Sequence, residues 1–182
     1  KIKSIMAIIS FGEFKDGIPY KAVNERAIRA SSGIMFILGL IAFINGFILQ
    51  RFMVIPYISG FLMLNFLIGI FINPKFSPTM FLGALITKNQ SELPIGAIQK
   101  KFAWTLGLGL STAIFVLSLL LQTDILFFEP VCLLCLICLF LLFFETAFGI
   151  CVGCQLYFLF IKLGLKKQPK IKPNCMGDSC EV

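Results

Sequence analysis

Residues 30–49, ASSGIMFILGLIAFINGFIL, contain no charged side chain. A helix of about 20 apolar residues is long enough to cross the hydrocarbon core of a bilayer. Three further stretches of the same character follow, at residues 52–72, 102–121 and 128–150. The sequence therefore predicts an all-α integral membrane protein with four transmembrane helices in contact with the lipid bilayer.

Composition supports this fold class. Of the 182 residues 58% are hydrophobic and only 14% are charged, whereas a soluble domain has about 25% charged residues. We expect one four-span membrane domain over residues 1–165. Residues 166–182, KKQPKIKPNCMGDSCEV, should form a flexible tail, because they have few apolar side chains to bury. The apolar part of KIKSIMAIIS is too short for a signal-peptide core, so we expect a mature N-terminus.

The basic residues are distributed asymmetrically. Of the 16 lysines and arginines, only Arg51 falls in the loops between spans one and two or between spans three and four. Basic residues next to spans mark the cytoplasmic side of a membrane, which predicts that both termini are cytoplasmic. This topology explains the charge without a nucleic-acid partner.

The connection between spans two and three has its own pattern, NPKFSPTMFLGALI. Ser77 is a predicted N-cap and Pro78 a first helical residue, so a short helix should lie on the cytoplasmic surface of the membrane. The following AIQKKFAWTLG places a basic pair and Trp104 at the membrane boundary, an arrangement typical of interfaces.

The chain has no histidine and seven cysteines in three groups. The lack of histidine excludes histidine metal ligands and histidine-based acid–base catalysis. The first cysteine group, CLLCLIC, lies among leucines near the outer end of span four, where free cysteine commonly fills apolar space. A redox pair facing outward is the alternative. The members of this group are Cys132, Cys135 and Cys138.

The second group, CVGC, contains Cys151 and Cys154. An unbroken helix over residues 128–163 would be about 54 Å long, against roughly 30 Å of hydrocarbon. We expect a bend at Gly149 or Gly153 and a short interfacial helix beyond it. A helix N-terminus lowers the pKa of a thiol and favours nucleophilic or metal-binding chemistry, although two incidental cysteines at a helix end would look the same.

Glu145 stands alone in an apolar run before this motif. A carboxylate within a membrane is energetically costly, which makes it a functional candidate. It relays protons, forms a structural ion pair with Arg26, Arg29 or Lys100, or is a protonated acid hydrogen-bonded to a neighbouring helix. Asn65 on span two falls in the same half of the membrane, and we expect it to share the cluster.

The third group, CMGDSC, places Cys175 and Cys180 in the tail. A flexible linker of 20 residues spans roughly 25 Å, so these thiols can reach CVGC. Two uses of that reach remain open. Cys151, Cys154, Cys175 and Cys180 can hold zinc or another thiophilic metal as four thiolates, or the two pairs can exchange disulfides or sulfane sulfur.

Several segments resemble a known family. VNERAIRASSG from Val23, NPKFSP from Asn73, QKKFAWTLGL from Gln99 and FFETAFGICVGC ending at Cys154 are similar to a bacterial integral membrane family known as domain of unknown function 4395. The tail CMGDSCE resembles that of members from the Bacteroidetes group. The resemblance implies a four-span protein of the bacterial inner membrane, associated with thioredoxin-like or sulfurtransferase proteins, and implies no established reaction.

Three functions fit these observations. The first is thiol–disulfide or sulfur handling at the cytoplasmic face, with Cys151 as nucleophile, Cys154 as resolving thiol and Glu145 as a tuning or proton-relaying group. The second is binding or transport of a soft metal by the four cysteines. The third is a non-catalytic accessory subunit of a larger membrane complex.

Overall fold

The computed structural model of the protein describes residues 10–14 and 18–165. It confirms four helices that are long and apolar enough to cross a membrane. The two shorter helices follow the second and fourth spans. The six helices are α1 (Glu25–Phe47), α2 (Val54–Phe71), α3 (Pro78–Ile86), α4 (Ala97–Leu121), α5 (Phe128–Phe143) and α6 (Val152–Lys162). The predicted tail, with Cys175 and Cys180, lies outside the described residues.

Two spans begin earlier than hydropathy predicts. Helix α1 starts at Glu25 rather than at residue 30, and α4 starts at Ala97 rather than at residue 102. The side chain of Asn24 accepts a hydrogen bond from the backbone N–H of Arg26 and caps α1. Hydropathy marks only the lipid-facing part of a helix, whereas the cap determines where the helix begins. Both helices consequently carry charged residues in their first turns.

A small antiparallel sheet joins the starts of these two spans. Its three strands are β1 (Glu13–Phe14), β2 (Lys21–Asn24) and β3 (Pro94–Gly96), with β2 in the centre. Val23 pairs with Ile95 across β2 and β3. The sequence analysis missed this sheet because strands of two to four residues are too short to show a period-two pattern. The pairing places the starts of α1 and α4 at the same end of the bundle.

We call this end, where α1 and α4 begin and α2 and α5 end, the basic end. Within the part of the chain that the structure describes, Arg51 alone of the basic residues lies on a connection at the other end. The predicted one-sided distribution of charge is therefore present in the fold. The basic residues at or next to the basic end are Lys21, Arg26, Arg29, Lys75, Lys88, Lys100, Lys101 and Lys162.

The short helix predicted after span two is α3, and a polar turn precedes it. The side chain of Asn73 accepts from the backbone N–H of Lys75, which starts a 3₁₀ turn over Pro74–Phe76. Pro78 is the first residue of α3, as predicted. Ser77 occupies the N-cap position, but its hydroxyl does not cap the helix. It donates to the side chain of Asn65 instead, at 2.7 Å.

Asn65 is the centre of a buried network that holds α3 against α1 and α2. Its Oδ1 accepts from Ser77 Oγ and, at 3.0 Å each, from the backbone N–H and the hydroxyl of Thr79. The hydroxyls of Thr79 and Ser31 lie 2.7 Å apart, which links α3 to α1. A Cβ on Gly83 would lie 2.5 Å from the carbonyl oxygen of Ala27, so only glycine permits this close packing. Asn65 is completely buried.

Trp104, predicted at the membrane boundary, is buried within the protein, with its ring against Gly69 of α2. Phe11 and Phe66 each contact the indole edge to face, and each of their ring centroids lies 5.6 Å from that of Trp104. Gly69 leaves room for the indole between α2 and α4. The depth of Trp104 in a membrane stays a prediction.

We predict that Asn65→Leu destabilises the protein by about 3 kcal/mol, because it strands buried donors on Ser77 and Thr79. Unfolding in mixed micelles, followed by circular dichroism, measures this loss. Asn45→Leu is the matched control, since the side-chain amide of Asn45 donates within α1, to the carbonyl of Ile41. Equal stabilities of the two variants would show that the network does not hold α3.

Candidate functional site

The helix break predicted near CVGC is present at Gly149. After α5 the chain makes one π-helical turn, Phe144–Phe148, and Gly149 follows in the left-handed region with φ of +69°. A side chain there would be strained, and its Cβ would lie 3.2 Å from the guanidinium carbon of Arg29. Gly153, the other predicted bend, lies inside α6 and makes close contact with Ala103 of α4.

Arg29 of α1 stabilises this break. Its Nη2 donates to the carbonyl oxygens of Thr146 and Ala147, at 3.2 and 3.3 Å. A helix end leaves carbonyl groups without helical partners, and a guanidinium supplies several donors at once. The end of span four is therefore fixed to the start of span one.

Glu145 forms an ion pair with Lys100 of α4. Lys100 Nζ and Glu145 Oε1 lie 2.7 Å apart. The side chain of Lys100 is 4% exposed and that of Glu145 is 18% exposed. Of the three partners considered from the sequence, the structure selects Lys100. The structural ion pair is thus confirmed, while proton relay by Glu145 stays a prediction.

A second carboxylate, Glu25, lies in the same cluster and was missed from the sequence. It is 2% exposed and interacts electrostatically with Lys100, Arg29 and Glu145. Its Oε2 has no hydrogen-bond partner among the described residues. The available signal was the acidic residue directly after the cap Asn24, but placing the start of the span at residue 30 left Glu25 outside the membrane helix.

The polar cluster predicted from the sequence is correct in part. Glu145 and Arg29 lie together, as expected. Asn65 does not join them, because its hydrogen bonds go to Ser77, Thr79 and Met35. Arg26 contributes its backbone N–H to the cap of α1, and its side chain makes no ion pair with any residue that the structure describes.

Cys151 and Cys154 form a disulfide at the start of α6, with Cα atoms 5.2 Å apart. Cys151 is the N-cap residue of α6, and its Sγ accepts a hydrogen bond from the backbone N–H of Cys154 at 3.2 Å. Both residues are half-buried. The predicted location of the pair, at a break and a helix N-terminus, is confirmed. Cys132, Cys135 and Cys138 carry free thiols in α5.

Helix α6 is held against α4, which positions the disulfide. Gly153 contacts Ala103, and the ring of Tyr157 packs on Phe102 at 5.6 Å. Tyr157 is buried, and this burial raises the pKa of its phenol, which keeps it neutral. The rigid contact keeps the cysteine pair beside the end of span four.

A cavity of about 110 Å³ adjoins the disulfide. The residues around it combine the two candidate centres with apolar side chains from α1, α2, α4 and α5. Among those that line it are Cys151, Glu145, Cys138, Trp104, Leu142 and Leu156. The fold thus brings the disulfide, the paired carboxylate and one of the span cysteines to the same space.

A metal site built from four cysteines stays a prediction. Cys151 and Cys154 are adjacent, but Cys175 and Cys180 lie outside residues 10–14 and 18–165. Within those ranges no group of three or more potential ligands from histidine, cysteine, aspartate and glutamate comes together.

The fold and this site define a four-span membrane protein with a cysteine pair at the start of a short helix that follows the last span. The chain belongs to the family described as domain of unknown function (DUF4395), whose family model matches residues 23–162. Comparison with curated proteins and with solved structures gives no match.

We predict that Glu145→Leu destabilises the protein by about 3 kcal/mol, because it removes the carboxylate that pairs directly with the buried ammonium of Lys100. Unfolding measurements in micelles test this value. Glu145→Gln is the matched control and should cost less, since its amide oxygen still accepts from Lys100. In Lys100→Met/Glu145→Leu the loss should be smaller than the sum of the two single losses. Indistinguishable Gln and Leu variants would contradict a buried pair.

Proposed function

We propose that this protein is a membrane thiol–disulfide carrier whose working centre is the Cys151–Cys154 pair. The observation that supports it is the half-buried disulfide at the N-terminus of α6. Structural disulfides staple loops over long sequence separations, whereas a pair three residues apart on the first turn of a helix closes a ring too small to stabilise a fold much. Such a disulfide is better suited to repeated reduction and oxidation.

Cys151 is the attacking thiol in this proposal. In the reduced protein, the backbone N–H of Cys154 and the start of α6 stabilise a thiolate on Cys151. That thiolate attacks a partner's disulfide and releases one partner thiolate. Cys154 then attacks the mixed disulfide, which releases the second partner thiolate and leaves Cys151 and Cys154 oxidised. Each step is reversible, so a partner's dithiol reduces the oxidised pair by the same two exchanges in reverse, and the partner's own disulfide forms. The same nucleophile would accept sulfane sulfur as a persulfide.

The basic end faces the cytoplasm of a bacterium in this proposal, and the spans lie in the inner membrane. The positive-inside rule supports it, because the described basic residues other than Arg51 lie at or next to that end. The partner is then a cytoplasmic thioredoxin-like or sulfurtransferase protein. Since the cytoplasm keeps thiols reduced, the disulfide is a transient state of the cycle.

Exchange and soft-metal binding exclude each other at this pair. A metal requires both sulfurs as thiolates, so oxidation and metal loading compete for Cys151 and Cys154. In the accessory-subunit alternative, replacement of the cysteines would change nothing in the larger complex.

We predict that Cys154→Ser accumulates a mixed disulfide between Cys151 and a thioredoxin that keeps only its nucleophilic cysteine, because neither protein then has a resolving thiol. Cys151→Ser should trap nothing and should lose exchange activity. Non-reducing gels of the purified protein with this single-cysteine thioredoxin, activated as its mixed disulfide with thionitrobenzoate, measure the trapping, and oxidised wild-type thioredoxin measures the exchange. The control replaces Cys132, Cys135 and Cys138 together with Ala and should keep nearly full exchange. Loss of exchange in that control, with retention in Cys151→Ser, would move the working centre to α5.

We also predict that the cysteine pair is accessible only from the cytoplasmic side. In intact cells a membrane-impermeant maleimide should leave Cys151, Cys154, Cys175 and Cys180 unlabelled, and permeabilisation under reducing conditions should expose them. Arg51→Cys, in the connection between α1 and α2, is the positive control for outside labelling. Labelling of the pair without permeabilisation would invert the proposed orientation.

A further inference from the structure

The cavity beside the disulfide reaches the lipid-facing surface. Leu106 of α4 and Leu156 of α6 both line it, and they are 42% and 37% exposed. Helix α4 is long and apolar enough to be a span, so its exposed apolar surface would face lipid, and a ligand entering between the two leucines would come from the bilayer. Water-soluble reactants instead approach the half-buried disulfide from the basic end.

The walls of the cavity are apolar, and the space continues inward. A smaller cavity of about 30 Å³ shares Met35, Phe66, Cys138 and Leu142 with it and extends between α1, α2 and α5. A dry apolar cavity of about 150 Å³ accepts a benzene ring. The two cavities, of about 110 and 30 Å³, are smaller than that, so a substituted ring would lie partly in the larger cavity and partly at its opening between Leu106 and Leu156. Among the residues that the structure describes around the larger cavity, Glu145 is the one carboxylate.

We propose that this cavity binds the ring of a lipid-soluble quinone, which exchanges two electrons with Cys151 and Cys154. This inference rests on the thiol–disulfide function proposed above and names its membrane reactant. A thiol exchanger that turns over needs a second redox partner. A quinone fits an apolar cavity with one end at a disulfide and the other at the lipid, and its isoprenoid chain would stay in the bilayer.

The reaction balances with these two reactants. Reduced Cys151 and Cys154 lose two protons and two electrons, and the Sγ–Sγ bond forms. The quinone gains the two electrons and two protons, and its two carbonyl oxygens become the hydroxyls of a hydroquinone. Glu145 borders both reactants and provides a site through which a proton can pass. The oxidised pair is then ready to accept electrons from a partner's dithiol.

The experiment uses the full chain, purified in nanodiscs, reduced and freed of reductant, with decylubiquinone as the probe. This quinone is fully substituted, so thiols do not add to its ring. Ultraviolet absorbance follows hydroquinone formation, and alkylation gels follow the cysteine pair. We expect one hydroquinone per protein for the wild type and none for Cys151→Ser.

Two variants then test the cavity itself. Cys138→Phe fills the space, and we expect it to slow oxidation by decylubiquinone about tenfold by excluding the ring. Leu133→Phe is the matched control on the same helix, since Leu133 is 60% exposed and does not line the cavity, and it should match the wild type. Oxidised glutathione, which reaches the pair from water, should oxidise wild type, Cys138→Phe and Leu133→Phe at equal rates. Circular dichroism and thermal unfolding of the three proteins in nanodiscs check that the variants are folded.

The outcomes separate the two proposals. Oxidation of the wild type by glutathione but not by decylubiquinone would overturn the quinone site and leave the thiol function standing. Equal rates with decylubiquinone in Cys138→Phe and wild type would also overturn the site, because the reaction would then occur elsewhere. A pair that reacts with neither oxidant would overturn both proposals.

Discussion

The buried ion pair between Lys100 and Glu145 is the interaction on which the candidate site depends. Removing an ammonium and a carboxylate from water costs several kcal/mol per ion, and their direct pairing offsets part of that cost. Their 2.7 Å contact therefore fixes α4 and the end of α5 in one relative position. Because α6 packs on α4 and follows α5 directly, the same contact determines where the disulfide lies.

Glu25 and Arg29 extend this constraint to α1. With all four groups ionised, the cluster has no formal net charge, which limits the cost of its burial. Arg29 also occupies the carbonyls of Thr146 and Ala147, so the left-handed turn at Gly149 is stabilised from a third helix. The break after span four is thus held in place by hydrogen bonds from another helix. A thiol pair placed just beyond such a break keeps a constant position relative to the cavity.

The sequence was sufficient for the features that depend on one helix at a time. Run length predicted the four spans, and the excess length after residue 128 predicted the break that Gly149 makes. Features that depend on two elements were not predictable. The burial of Trp104 requires Gly69 on a different helix, and the role of Asn65 requires Thr79 and Ser77 beside it. Glu25 was missed for the same reason. One of its neighbours, Lys100, is distant in the sequence. The other, Arg29, lies in the first turns of α1, which hydropathy does not identify as part of the span.

The positions of the cysteines limit the routes that electrons can take. Cys135 lies 16 residues before Cys151, which is about 24 Å along a helix, while a disulfide requires Cα atoms within about 7 Å. That distance holds for an unbroken helix, and the break at Gly149 shortens the path, so Cys138 lines the same cavity as Cys151. Among the described residues, the three cysteines of α5 nevertheless carry free thiols, and the disulfide joins Cys151 to Cys154. Cys138 borders the cavity, but its contribution there is a small side chain that leaves space. If the pair exchanges electrons with both a soluble protein and a membrane quinone, both reactions take place at the basic end: one reactant arrives from water and the other from lipid, and neither has to cross the bilayer.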